Sequence, residues 1–393
     1  MAENLLYLVH RIPFPPNKGD KIRSHHLLEH LSKRYRVHLG AFVDDEEDWK
    51  HVEKIRTYCR ECCLLKLDPR IARLRSLTGL LTGEALSLPY YSSAKLQDWV
   101  DGVVREYGIR KAVAFSSAMG QYLERHRDML RIMDFVDVDS DKWTQYADSG
   151  PFPLRLIYRR EGRRLAQYER RLAREFDASF FVSPQEARLF RTIAPESSGK
   201  IHAYQNGVDS EYFSPERAYP DPYPAGEKAI VFTGAMDYWP NIDAVGWFAR
   251  EVFPSISGSG IRFYIVGSNP AEPVRRLADR PGIVVTGRVE DVRPYLAHAA
   301  LAVAPLRIAR GIQNKVLEAL AMGKTVVASP QAMEGIPEHA ACRICESAAQ
   351  FSATLGVLLA SGEAGPGGRQ FILDHYNWER NLHALSSVLE RTS

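Results

Sequence analysis

"RGIQNKVLEALAMGKTVVAS", Arg310 to Ser329, decides how this chain folds. A glycine follows the arginine, a run of helix formers comes next, Gly323 closes it, and β-branched Thr325, Val326 and Val327 follow. The apolar run "LAVAPL", Leu301 to Leu306, comes just before. Strand, loop, helix, strand is the repeat of a parallel α/β sheet. Lys315 and Glu318 fall near the start of the expected helix, three residues apart. Backbone amides at a helix start are unpaired and carry the positive end of the dipole. Gly311 at that start lets a diphosphate come close. Lys315 would add a full positive charge, and Glu318 would accept from the two hydroxyls of a ribose. The plainer reading is an i,i+3 ion pair worth a few tenths of a kcal/mol.

Outward from this stretch the same alternation recurs. In the first half "NLLYLVH", "RVHLGAFV", "KAVAFSS", "RIMDFVDVDS" and "ASFFVS" read as strands. Helical runs such as "SHHLLEHLSKRY" and "RRLAQYERRLAREF" separate them. "NGVDSEYFSP", Asn206 to Pro215, and the proline-rich "PERAYPDPYPAGE" read as a linker. Beyond it, "AIVFTGAM", "IRFYIVGS", "GIVVTGRV" and "LAVAPL" read as strands. The expected fold is α/β, two Rossmann-like doubly wound domains in tandem, 1–205 and 206–370, with a terminal helical segment at 371–393. Ligands in such sheets bind at the carboxyl ends of strands, and a cleft between two facing domains is a favoured position. No G-x-G-x-x-G follows the first strand and no G-x-x-x-x-G-K-[ST] occurs anywhere, which removes support for dehydrogenase-type dinucleotide and P-loop sites.

Composition sets outer bounds. At 393 residues the chain is too long for one core and suits two. It is 45% hydrophobic and 25% charged, the balance of a soluble protein, and its net charge of +3 does not by itself imply nucleic-acid binding. No apolar run is long enough for a signal peptide or a membrane span. A cytoplasmic protein is expected, with peripheral membrane contact left open. Cys59, Cys62 and Cys63 cluster, and Cys342 and Cys345 form a second C-x-x-C, but no histidine spacing completes a zinc motif. Reduced structural thiols are the default.

In "DFVDVDSDKW", Asp137 and Asp139 flank Val138. Such a triplet suits Mg²⁺, yet the tandem α/β reading argues against the architecture that uses it, so no metal is expected. An acceptor-side role follows, with either aspartate binding a hydroxyl or acting as base; the alternative is a strand-end turn with capping aspartates. In "PPNKGDK", Gly19 falls at a helix start after the first strand, a functional position by strand topology, while the plain reading makes Asp20 an N-cap. The arginines of "RRLAQYERRLAREF" suggest contact with anionic lipid; Leu165, Tyr168 and Leu172 make a packed helix the first reading.

These residues resemble a known family. "NKVLEALAMGKTVVAS" after a short apolar strand looks like the donor-site signature of family 4 glycosyltransferases, whose GT-B architecture pairs two Rossmann-like domains about a cleft. "NGVDSEYFSP" is similar to their interdomain segment. "FTGAMDYWPNIDAVGWF" is similar to the first strand, loop and helix of their second domain, which implies donor contacts at Gly234 and Asn241. "VTGRVEDVRPYLAHA" resembles the segment that reads the base, implying Arg288 and Val289. "HRIPFPPNKGDKIRSHHLLEHL" and "DFVDVDSDKWTQYA" resemble the sugar transferases of PEP-CTERM and exopolysaccharide systems. The terminal segment with Trp378 is similar to the helix that crosses back to the first domain.

The resemblance implies a retaining, metal-independent hexosyl transfer from a nucleotide diphosphate sugar to a saccharide or lipid-linked saccharide, with no separate cofactor and no nucleic acid. It places the protein in the cytoplasm and leaves association with the inner membrane open. Two departures stand out. Arg310 occupies the position where many members carry a glutamate, and the "GAMDYWPN" loop lacks their diphosphate-gripping cations. The expectation is that Arg310 and Lys315 supply that charge, with amides at Gly311, Ile312, Gln313 and Gly19 beside the donor. Two other readings share these residues: a nucleotide-sugar epimerase, and a non-catalytic nucleotide-sugar-binding partner in a polysaccharide assembly complex.

Overall fold

The computed structural model describes residues 2–16, 19–149, 152–258, 260–309, 312–362 and 365–391. The chain forms two compact units, Met1–Gln205 with Glu379–Ser393, and Asn206–Trp378.

The first unit holds seven strands: β1 (Asn4–Val9), β2 (Arg36–Val43), β3 (Cys59–Lys66), β4 (Lys111–Phe115), β5 (Leu130–Val136), β6 (Ala178–Phe181) and β7 (Ile201–Ala203). Their order is β3-β2-β1-β4-β5-β6-β7, and every pairing is parallel. Parallel strands covered by helices on both faces read as unbroken apolar runs. Leu5 to Val9 of β1 are accordingly all fully buried. The second unit holds six more: β8 (Lys228–Thr233), β9 (Ile261–Val266), β10 (Ile283–Gly287), β11 (Leu301–Ala304), β12 (Val326–Ala328) and β13 (Cys342–Ile344). Their order is β10-β9-β8-β11-β12-β13, again all parallel. Both sheets are doubly wound and Rossmann-like. The winding reverses between β1 and β4 in one and between β8 and β11 in the other. Those reversals are where open α/β sheets leave a crevice for ligands.

Two local expectations change, at the linker and at the terminal segment. The stretch read as a linker packs onto the second unit. Val208 and Tyr223 are buried in its core, and Arg369 donates to the carbonyls of Ser210, Phe213 and Ala321. The terminal segment is two helices, Gly368–His375 and Trp378–Glu390. Trp378 packs on Gly207, where an added methyl would lie 2.7 Å from the indole. The long arginine-rich helix, Leu154–Glu175, buries Leu165, Tyr168 and Leu172. All five cysteines are free thiols. Among the described residues no helix is long and apolar enough to cross a membrane.

Candidate functional site

The helix Asn314–Ala321 follows β11, and the helix Trp239–Trp247 follows β8. Both therefore begin at the carboxyl edge of the second sheet, one on each side of its reversal. Lys315 leaves the first helix and meets Asn241 from the second. Its Nζ donates to Asn241 Oδ1 at 2.5 Å and sits 4.4 Å from the centre of the Phe232 ring. Asn241 is buried, and its Nδ2 donates to the Ala235 carbonyl at 2.9 Å, which fixes the amide so that its oxygen faces the lysine.

Gly234, the first residue past β8, completes the arrangement. Its φ is +154°, and a Cβ there would lie 2.7 Å from Asn241 Nδ2 and 3.5 Å from Lys315 Nζ. A side chain at this position would fill the space beside the ammonium, so glycine is required on two counts. Three strand ends are tied together here. Gly234 N donates to the Val266 carbonyl at 3.1 Å, and Gly267 N to the Gly287 carbonyl at 3.3 Å.

The electrostatics around Lys315 suit an anion. An ammonium has three donors, and the amide uses one. No carboxylate lies within ion-pair distance of Lys315 among the described residues. Burial brings the Lys315 amine down to about 7, against the opposing pull of Glu318. Burial likewise pushes the Glu318 carboxyl up to about 7, with Lys315 working the other way. The Glu318 carboxyl group makes no hydrogen bond or ion pair among the described residues, so the i,i+3 ion pair of the plainer reading is not formed. Both groups are desolvated without a counter-ion in contact among the described residues, a pattern that clusters at functional sites.

The other expected donor contacts lie on the same edge. Gln313 is the extended residue from which the helix starts (φ −89°, ψ 103°). Ile312 packs against the core. Val289 does the same, and Arg288 is exposed beyond β10. Arg310 and Gly311, expected beside the donor diphosphate, lie outside the described residues.

Gly19, Asp137 and Asp139 belong to the first unit. Gly19 opens the helix Gly19–Ser32, and nothing within 4 Å would meet a Cβ there. Asp20 lies in the first turn of that helix and accepts from Arg11 at 2.6 Å instead of capping it. Asp137 and Asp139 are both held by Lys142, at 2.7 and 3.1 Å. The lysine cancels one of their two negative charges and occupies an oxygen of each, a poor setting for a divalent metal.

Two features escaped the sequence reading. Arg307 Nε donates to Asp243 Oδ2 at 2.9 Å, bridging the loop after β11 to the helix after β8. Asn314 Oδ1, at the first position of the Lys315 helix, is buried with no partner among the described residues. An unsatisfied buried acceptor costs about 1–3 kcal/mol. The only signal for it was an asparagine one residue before the lysine.

Residues 227–361 match the family described as "Glycosyl transferases group 1". The second unit thus carries a glycosyltransferase group 1 domain, and Gly234, Asn241, Lys315 and Glu318 all fall inside it. Whole-chain likeness extends to solved structures. Sucrose-phosphate synthase from Thermosynechococcus elongatus superposes with a TM-score of 0.68 at 16% identity, over 99% of this chain and 98% of that one. Anabaena HepE in complex with UDP and glucose gives 0.64 at 12%, covering 98% and 99%. WaaG, a glycosyltransferase involved in lipopolysaccharide biosynthesis, gives 0.64 at 13%, covering 99% and 100%. The fold is GT-B. No curated protein matches the chain in sequence.

Proposed function

We propose that the chain is a retaining, metal-independent hexosyltransferase of the family 4 type. It moves a sugar from a nucleotide diphosphate donor to a hydroxyl of a lipid-linked or growing surface polysaccharide. One observation carries the reading. The Lys315 ammonium is held by a single amide over an aromatic face, without a counter-ion, at the reversal of the second sheet.

The chemistry asks for that group. As the bond from the anomeric carbon to the diphosphate breaks, the sugar gains oxocarbenium character and the diphosphate gains negative charge. A preplaced cation and unpaired helix-start amides stabilise the charge where it forms. Lys315 has two donors to spare for the phosphate oxygens. Glu318 accepts from the ribose hydroxyls, and Asn314 Oδ1 accepts a further donor from the same ligand. Asp137 and Asp139, fixed by Lys142, are assigned to the acceptor. HepE, with its UDP and glucose, supports such a donor, and WaaG, involved in lipopolysaccharide biosynthesis, supports a surface glycan as the product.

A thermal-shift panel with UDP, GDP and ADP, with and without EDTA, tests this. A ligand that binds only the folded state raises Tm with its occupancy. One nucleotide is expected to raise Tm, unchanged by EDTA. Lys315→Ala is expected to weaken binding by about 1.5–3 kcal/mol, the worth of a charged hydrogen bond, so that the shift disappears. Sugar transfer to a hydroxyl acceptor should fall with it. An undiminished shift in Lys315→Ala, or conversion of the donor with no acceptor present, would overturn the proposal, the latter in favour of an epimerase.

A further inference from the structure

Exposed large apolar side chains on the first unit concentrate in two stretches. One is the helix Pro69–Ser76 with its continuation Thr78–Thr82, where Ile71, Leu74, Leu77 and Leu81 are exposed, Leu81 to 91%. The other is Phe152 and the opening of the helix Leu154–Glu175, where Phe152 is 76% exposed and Leu156 53%. An amphipathic helix in a soluble protein turns such residues inward. Here only Ala72 and Gly79 of the first pair of helices are buried.

The two stretches form one surface. Arg160 donates to the carbonyls of Gly79 at 2.6 Å and Glu84 at 3.1 Å. The buried Glu161 carboxylate accepts from the amides of Leu86 at 2.7 Å and Ser87 at 3.2 Å. Those bonds clamp the leucine-bearing helices onto the long helix. Beside them Trp143, Tyr146 and Tyr158 cluster with ring centroids 5.5 to 6.3 Å apart, and Tyr146 is exposed.

Charge identifies the occupant. Residues 69–82 and 152–164 contain eight arginines and one acid, the buried Glu161, for a net charge of +7 against +3 for the whole chain. Arg70, Arg73, Arg155, Arg159 and Arg163 are exposed, and their guanidinium groups make no hydrogen bond or ion pair among the described residues. Two copies of such a face would repel each other. An anionic bilayer suits it in all three respects. Leucines enter the acyl boundary, arginines meet anionic headgroups, and tyrosine and tryptophan sit at headgroup level.

We propose that this face of the N-terminal unit docks on an anionic lipid bilayer. The face shares only Arg163 and Arg164 with "RRLAQYERRLAREF"; beyond them Leu165, Tyr168 and Leu172 of that stretch are packed inward. The inference rests on the glycosyl-transfer reading for its purpose, delivery of the enzyme to a lipid-linked acceptor, and on the surface alone for its physics.

Flotation with vesicles of phosphatidylcholine, and of phosphatidylcholine mixed with phosphatidylglycerol, is the test. The protein is expected to float with the anionic vesicles only, and less so at high salt. L74E/L81E and R70E/R73E/R155E/R159E should each lose at least about tenfold in binding, as several headgroup or acyl contacts are removed. All six positions are exposed, so Tm should stay within a few degrees of wild type. The nucleotide-induced thermal shift should persist in both variants, so membrane docking and donor binding can fail separately. Absence of flotation with anionic vesicles, or flotation equal to wild type in either variant, overturns the proposal. So does a concentration-dependent dimer that L74E/L81E dissolves, which would assign the face to a second copy.

Discussion

Lys315 and Glu318 are the residues on which the site's protonation turns. Both are brought to about 7, the amine downward and the carboxyl upward, chiefly by burial. In the free protein the lysine is therefore largely neutral above pH 7. A diphosphate against it favours the ammonium and raises its pKa, so binding in this range takes up a proton. By linkage, affinity then falls as pH rises, by up to about tenfold per unit until the bound-state pKa is reached. We expect nucleoside diphosphate affinity, measured by calorimetry between pH 7.5 and 9, to show this fall in wild type. Lys315→Arg keeps its charge throughout this range and is expected to flatten the profile. A fall of equal slope in the arginine variant would remove Lys315 as its source.

At the scale of elements, the ends of β8, β9 and β10 form one unit through Gly234, Gly267 and Gly287. A Cβ on Gly267 would fall on the Gly234 carbonyl, so the loop that borders Lys315 is set by how closely β9 ends beneath it. We expect Gly267→Ala to cost about 3 kcal/mol in urea unfolding, as overpacking does, and to weaken nucleotide binding. Gly356→Ala is the control. It lies inside the helix Ala348–Ser361 with open space around it, and should be neutral or stabilise by up to about 1 kcal/mol. These elements also show what sequence can carry. β1, β2, β8, β9 and β11 were legible because burial on both faces leaves unbroken apolar runs. β3 was missed because it is an edge strand, Cys59–Lys66, with Arg60 and Glu61 in its length. The Lys315 helix was legible from its glycines and apolar period. Its bond to Asn241 spans 74 residues and has no spacing signature, and the Arg307–Asp243 bridge escaped for the same reason.

At the scale of the whole molecule, the chain leaves the first unit at Gln205, builds the second, and returns its last residues, from Glu379, to the first. That return is built into the first unit's interior. Leu382, Leu385 and Leu389 are fully buried. His30 Nε2 meets Ser386 Oγ at 2.6 Å, and Asn381 Nδ2 donates to the Gln205 carbonyl at 3.1 Å. The Arg34–Glu390 pair at 2.7 Å is exposed and adds little. Burying one leucine contributes about 1.5–3 kcal/mol, so the three together hold roughly 5–9 kcal/mol of the first unit's stability. A chain ending at Trp378 keeps the indole on Gly207 and loses only what the first unit uses. We expect hydrogen exchange in that chain to accelerate in β1 and β4 and to stay near wild type in β8 and β11. Were the last helix a surface appendage, exchange would change in neither sheet; were it a general stabiliser, exchange would change in both. Selective loss in the first sheet would mean that its fold is completed only by residues 379–391, which follow the whole second unit along the chain.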